Sequence, residues 1–164
     1  MSAWVKLDSV SSTQAFVSNN LKASGNGSAN NGGCHIGLRD NGLFRIQYNL
    51  TNQETYTDSN GNNGASYAVI AYAADTATID TLYHVVGVID GNNAKLYIDG
   101  VLVSEVSSVE SMTYGTVDDI YSIGCYTQDD GAVGYPTDGS ISKVEHYNDA
   151  KDQAFITALF NQGA

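Results

Sequence analysis

Residues 82–106 read LYHVVGVIDGNNAKLYIDGVLVSEV, and this stretch restricts the fold more than any other. Ile-Asp-Gly occurs twice in it, each time at the end of an apolar run. Asp-Gly supplies the two positive-φ residues of a type I′ turn, which joins antiparallel strands without fighting their twist. If Asp99-Gly100 forms that two-residue loop, Ile98 faces Val101 and Leu96 faces Val103. Leu96, Ile98, Val101 and Val103 then share an apolar face, and Lys95, Tyr97, Leu102 and Ser104 take the other, as a half-buried sheet requires. Asp90-Gly91-Asn92-Asn93 turns the preceding strand back into Lys95. The doubled triplet therefore predicts two corners of one meander, with Asp90 and Asp99 as corner residues.

The rest of the chain keeps this habit. AWVKL (3–7), TQAFVS (13–18), SYAVIAYA (66–73), DDIYSIG (118–124) and SISKVEHYN (140–148) read as strands, and 34–49 as two strands around Asp40-Asn41-Gly42. Only the C-terminus changes period: Phe155, Ile156, Leu159 and Phe160 recur at helical spacing. Asp149 is the predicted cap of that helix, with Asp152 adding charge near its positive end. The pattern predicts one all-β domain over 1–164, two packed antiparallel sheets in a β-sandwich, and one short C-terminal helix. Residues 19–33 and 49–65, rich in Asn, Gly and Ser, and 125–139, which carry acid and tyrosine, are expected as long loops. Such loops on a rigid sandwich are where binding residues gather.

Charge narrows the partners. Asp and Glu number 18 against 7 Lys and Arg, for a net charge of −11, yet charged residues are only 15% of the chain. The acidity thus reflects scarce cations. Excess carboxylate repels phosphate, which argues against nucleic acid and anionic membranes as partners. No apolar run approaches the ~20 residues that span a bilayer, so membrane insertion is not expected. Met1-Ser2 runs straight into the strand pattern at Ala3-Trp4, so no signal peptide is expected in this stretch. Cys34 and Cys125 allow one disulfide or two buried thiols.

Four landmarks carry a family resemblance. They are Ala3-Trp4-Val5-Lys6; Tyr83-His84-Val85-Val86-Gly87-Val88; the hairpin Lys95-Leu96-Tyr97-Ile98-Asp99-Gly100; and the ending from Ile123-Gly124 through Asp138-Gly139-Ser140-Ile141 to Ala154-Phe155-Ile156. In this order, over nearly the whole chain, they resemble the laminin-G-like group of the concanavalin A-like lectin/glucanase superfamily. The resemblance implies a jelly-roll sandwich, also met in pentraxins. It implies a place outside the cell, on a cell surface or on a virus particle. The family's usual strand before Ala3-Trp4 has no counterpart here, and Lys151-Asp152 replaces its usual Leu-Ser before the last helix.

Members of this group bind carbohydrate or protein, accompany enzymes as accessory modules, or pack surfaces and particles. Its glycosidases set two carboxylates on one strand, and retaining hydrolysis needs them about 5–5.5 Å apart. Here Glu105, Glu110, Asp118, Asp119 and Glu145 form no Glu-x-Asp-x-x-Glu array, and adjacent Asp118 and Asp119 point to opposite faces. No enzyme is expected.

Two candidate sites remain. Exposed tyrosine rings can stack on a sugar while acids and amides bond its hydroxyls; Tyr126, Tyr135, Tyr56, Asp129 and Asp130 are the candidates. Calcium wants several oxygens, and Gln128, Asp129, Asp130 and Asp138, with Asn26 from an earlier loop, could supply them. The plainer reading of that acidic loop is a solvated turn, with Asp138 as a turn residue before Gly139. Asp58–Gly64 resembles the start of an EF-hand loop but places its Gly one position late and lacks the closing Glu. His35, His84 and His146 have no metal-ligand spacing. Trp4 is assigned to the core.

The expected function is a non-catalytic, lectin-like module that binds a glycan or glycoprotein in adhesion or surface recognition, with calcium as a candidate aid. The alternative is a structural or decorating subunit of a virus, phage or cell-surface assembly, packing against neighbouring subunits.

Overall fold

The computed structural model describes residues 1–21, 33–57, 63–108, 119–127 and 132–163, with side chains left out at 20–21, 49–57, 63–67 and 119–120. In chain order the strands are β1 (Ser2–Leu7), β2 (Gln14–Leu21), β3 (Cys34–Leu38), β4 (Leu43–Thr57), β5 (Asn63–Thr76) and β6 (Leu82–Asp90). Then come β7 (Asn93–Ile98), β8 (Val101–Ser107), β9 (Asp119–Ile123), β10 (Tyr126–Thr127), β11 (Val133–Gly134) and β12 (Gly139–Glu145), followed by helix α1 (Gln153–Gly163). One five-stranded sheet runs β12-β1-β6-β7-β8 and the other β5-β4-β3-β2-β9; β10 and β11 pair separately. Every described pairing is antiparallel, giving the predicted two-sheet sandwich with one C-terminal helix.

Alternation sorts the side chains. Ala3, Val5 and Leu7 of β1, Val85 of β6 and Leu96 of β7 point inward from the first sheet. Phe16, Ile36, Leu38, Phe44, Ile46, Tyr48, Val69 and Ala71 meet them from the second. Gly87 stands at a close approach of the two sheets. A β-carbon there would lie 2.5 Å from Ile36 Cγ2 and 2.6 Å from Ile46 Cδ1. The two isoleucines fill the place of a side chain that β6 does not carry.

The meander forms as predicted at its corners. Asp99 and Gly100 have φ of 51° and 78°, the positive pair of a type I′ turn. Asp99 also clips the neighbouring strand: its Oδ1 accepts the His84 N–H at 2.8 Å, and its own N–H donates to the His84 carbonyl at 2.9 Å. The expected facing of β7 and β8 fails after two residues. Ile98 opposes Val101 and Tyr97 opposes Leu102, but Leu96 opposes Ser104 across a bulge. The inserted Val103 flips the alternation, so Ser104 and Val106 are buried while Val101, Leu102 and Val103 are exposed.

Residues 49–65 are mostly strand rather than loop. β4 runs on to Thr57 and β5 starts at Asn63, pairing Glu54 with Ser66 through to Thr57 with Asn63. Thr51, Thr55, Tyr56 and Thr57 are strand formers inside an Asn-rich text, and a partner strand beside them outweighs local composition. Tyr56, expected on a loop, therefore belongs to β4.

On the outer side of the first sheet, α1 lies over Val86, Val88 and Tyr97, with Ile156 buried among them. Trp4 is buried, as expected, but under this helix instead of between the sheets. Its ring stacks on His84 at 5.0 Å and on Phe160 at 5.7 Å. The cap is Asp152, not Asp149: Asp152 Oδ1 accepts the Phe155 N–H at 2.8 Å, while Asp149 pairs with Lys151 at 2.7 Å. An N-cap must sit directly before the first helical residue, here Gln153, and Asp149 lies in the link after β12, too far upstream to fill that position.

Two outcomes test this packing. Gly87→Ala should lower stability by about 1–3 kcal/mol in denaturant melts, because the added carbon meets both isoleucines. Asp152→Ala should cost about 1 kcal/mol, with Asp149→Ala costing less. A larger loss at Asp149 would move the cap.

Candidate functional site

The outer face of the second sheet carries polar side chains where an outer face ordinarily meets water. The strand pairs Ser18–His35, His35–Gln47, Gly37–Arg45 and Arg45–Tyr72 set these residues side by side. Yet His35 is 1% exposed and Arg45 5%. Gly37, opposite Arg45, has no space for a side chain, because β2 lies tight against it: a β-carbon there would lie 2.1 Å from the Gln14 carbonyl oxygen.

The described part of the cover comes from residues 124–127 and 132–138. Ser18 Oγ donates to the Cys125 carbonyl at 3.1 Å, and Ser122 and Thr127 join through their hydroxyls at 2.6 Å. The Ala15 N–H donates to the Tyr135 carbonyl at 2.9 Å, and Thr137 Oγ1 returns a bond to the Ala15 carbonyl at 2.8 Å. Gln14 Oε1 accepts the Asp138 N–H at 2.9 Å. This segment thus runs beside the start of β2. It brings Tyr126 edge-on to His35, with centroids 5.6 Å apart, and sets Tyr135 against Tyr126 at 5.9 Å. Tyr135 is 45% exposed and holds a left-handed φ of 53°, which costs a non-glycine residue roughly 1–2 kcal/mol. Pro136 follows it and further limits its backbone.

The electrostatics follow from burial. Desolvation, with the charge of Arg45 nearby, pushes His35 down to about 3, so the ring is neutral at ordinary pH. Burial also lowers Arg45 from its usual value, opposed by the Tyr72 phenol bonded to it and by Tyr135. Arg45 Nη1 donates to Gln47 Oε1 at 2.9 Å, and Arg39 Nη1 to Tyr72 Oη at 2.9 Å. Among the described residues, neither His35 ring nitrogen nor Arg45 Nε has a hydrogen-bond partner. An unpartnered buried polar group costs about 1–3 kcal/mol, and three in one place are unusual for a purely structural surface.

Of the residues expected from the sequence, Tyr126 and Tyr135 come together here. Asp138 stands beside them, exposed, its backbone tied to Gln14 and to Asp8. Gln128, Asp129, Asp130 and Asn26 lie outside the described residues. No group of three or more His, Cys, Asp or Glu among the described residues is placed to hold a metal. The polar row itself, His35, Arg45, Gln47 and Tyr72, was not foreseen. Its signal in the sequence is the alternation Leu43-Phe44-Arg45-Ile46-Gln47-Tyr48, where Arg45 and Gln47 share a face.

A cavity of about 270 Å³ lies elsewhere, between Val88 and Ile89 of β6 and residues 146–159. Its lining mixes apolar residues of β6 and α1 with polar Asn19, Tyr121 and His146, and on it Asp149 pairs with Lys151, whose ammonium lies over the Tyr147 and Phe155 rings. Cys34 is buried and Cys125 half-buried, both as free thiols, with burial raising Cys34 to about 11.

The chain belongs to the concanavalin A-like lectin/glucanases superfamily, whose laminin G family model matches residues 1–157. Among curated proteins, none matches it in sequence. Its fold is similar to that of the Ruminococcus gnavus IT-sialidase CBM40, at TM-score 0.69 and 18% identity over 97% of this chain and 80% of that one. A SAP-like pentraxin from Limulus polyphemus matches at 0.66 and 12%, covering 97% and 67%. Domain 4 of AbnA, a GH43 extracellular arabinanase from Geobacillus stearothermophilus, in complex with arabinotriose, matches at 0.62 and 17%, covering 96% and 64%. At these identities the likeness is one of fold.

The neutral, buried His35 gives a pH test. Unfolded, the ring binds a proton below about 6.5; folded, it does so only near 3. Its folded-state value is depressed, so the unfolded chain takes up the extra proton as pH falls. Stability should therefore drop between about 6.5 and 3, by at most about 1.4 kcal/mol per pH unit from this group. His35→Gln should flatten that part of a stability-against-pH curve; an unchanged slope would mean the ring is not held neutral.

Proposed function

We propose that the chain is a non-catalytic carbohydrate-binding module that takes a sugar on the outer face of its second sheet. The observation that carries this is the arrangement of Tyr126 and Tyr135 beside buried His35 and Arg45, whose ring nitrogens and Nε have no hydrogen-bond partner among the described residues. A pyranose or furanose ring has an apolar face and a rim of hydroxyls. A tyrosine ring matches the first, and an imidazole, a guanidinium and an amide match the second. Support from relatives comes from the CBM40 bound to α2,3-sialyllactose and from the arabinanase domain holding arabinotriose, both of this fold. Extracellular or surface glycans are the partners this reading names, with adhesion or surface recognition as its role.

A glycan array with the intact chain tests it. Binding should appear and fall about tenfold or more in Tyr135→Ala, a loss of at least about 1.4 kcal/mol. Tyr126→Ala should weaken it too. An array without signal would sink the proposal. Calcium assistance around Asp138 is the further part of this reading. Chelation should then lower both the melting temperature and glycan binding, since an ion that binds only the folded state stabilises it. A melting temperature that chelator leaves alone removes calcium and spares the sugar.

A further inference from the structure

We infer that the cavity of about 270 Å³ between β6 and α1 is a second ligand site, for a small neutral molecule with a flat apolar ring system and one hydrogen-bond donor. It is separate from the sugar face. A row of three paired residues crosses its inner wall: Tyr121 of β9, Asn19 of β2 and Cys34 of β3. Residues paired directly across strands project to the same face. Cys34 points between the sheets into the core, so Asn19 points there too. The neighbouring pair, Ser18 and His35, projects the other way, toward Cys125 and Tyr126.

Asn19 is costly for the fold as it stands. It is 2% exposed, and its Oδ1 has no hydrogen-bond partner among the described residues. A buried amide oxygen without a donor loses its hydration and gains nothing in return; a ligand that brings a donor recovers part of that loss.

The rest of the lining sets what carries the donor. Val86, Val88 and Ile89 of β6 and Ile156 and Leu159 of α1 are apolar. Tyr121 and His146 meet edge-on at 5.0 Å, and Tyr147 and Phe155 at 5.3 Å, so aromatic rings border the cavity in two pairs. Charged groups on the lining are engaged: Asp149 holds Lys151 at 2.7 Å, and the Met1 amine donates to the Gly87 carbonyl at 3.0 Å. Burial pushes the Cys34 thiol up to about 11, which keeps it neutral. A neutral ligand fits such a lining. Size narrows it further. An apolar cavity of about 150 Å³ takes one benzene ring, so the space here suits two fused rings. The cavity is open to solvent. Tyr121 is 52% and Phe155 38% exposed, and His146, Asn148 and Asp149 are exposed on the same lining. A ligand therefore reaches it without moving either sheet.

Indole and benzofuran test this, each titrated against the intact chain by NMR. The two share a fused ring system, but benzofuran has an acceptor oxygen where indole has its N–H. Indole should shift the amide signals of Val88, Ile89 and Leu159 saturably, and bind about fivefold or more tightly than benzofuran. Asn19→Leu should bring the two affinities together while both still bind. No saturable shift at those three residues, or shifts centred elsewhere, would overturn the inference. Equal binding of the two by the unaltered protein would overturn it as well, because Asn19 would then take no donor. If Asn19→Leu does not fold, the indole-to-benzofuran ratio of the unaltered protein decides. The glycan array reads the other face, and its result leaves this one untouched.

Discussion

The sandwich depends on how closely two sheets can approach, and Gly87 sets that distance at its centre. β6 is a middle strand of its sheet and would ordinarily carry a branched side chain inward. At Gly87 it carries none, and Ile36 and Ile46 from the facing sheet occupy the space. Interiors are packed at crystal-like density, so this exchange of one missing side chain for two intruding ones lets the sheets interdigitate. The inward rows of β1, β3, β4 and β7 are in register with that contact. Close approach recurs at Gly37 against Gln14 and at Gly139 against the Lys6 carbonyl, where backbone meets backbone. All three glycines stand inside or at the start of strands, where glycine is otherwise a weak choice.

With the two inner faces joined, the outer faces are treated differently. Helix α1 covers part of the first with apolar and aromatic side chains, and Trp4, His84 and Phe160 stack there. Burial of that kind is a stabilising contribution in its own right. The second outer face is covered by a short segment held through backbone and hydroxyl bonds to β2. Beneath it lie a neutral histidine and a charged arginine with atoms unpartnered among the described residues. The helix cover lowers free energy. The tyrosine cover carries polar groups that a suitable ligand would satisfy better than the protein does. The helix cover hides one such atom too, His84 Nδ1, so what sets the second face apart is three of them gathered at His35 and Arg45 among the described residues.

Much of the fold was legible because its signals are local. Strand runs, Asp-Gly corners and the change of period at Phe155 each need only a few neighbouring residues, and each has a backbone reason. Errors arose where a distant partner decided. The bulge at Val103 depends on how β8 meets both β7 and the opposite sheet, so alternation alone misplaced Val101 and Val103. The strand character of Tyr56 depends on β5 lying alongside. The cap moved from Asp149 to Asp152 because the end of β12 and the docking of Ile156 set where the helix begins. In the candidate site, Tyr126 and Tyr135 could be picked out as aromatic residues in a polar loop. His35 and Arg45 could not, since each reads as an ordinary outward residue of an exposed strand.

By itself, the sequence determined the class of fold, the corners of the meander and the scarcity of cations. These follow from turn stereochemistry, side-chain alternation and composition, which act over short spans or over the whole chain at once. Tertiary structure alone decided which outward residues became buried. Residues 124–127 and 132–138 meet β2, more than a hundred residues away in sequence, through bonds such as Thr137 to Ala15. That contact takes water from His35 and Arg45. Desolvation is a property of what lies above a residue, and no pattern within β3 or β4 records it.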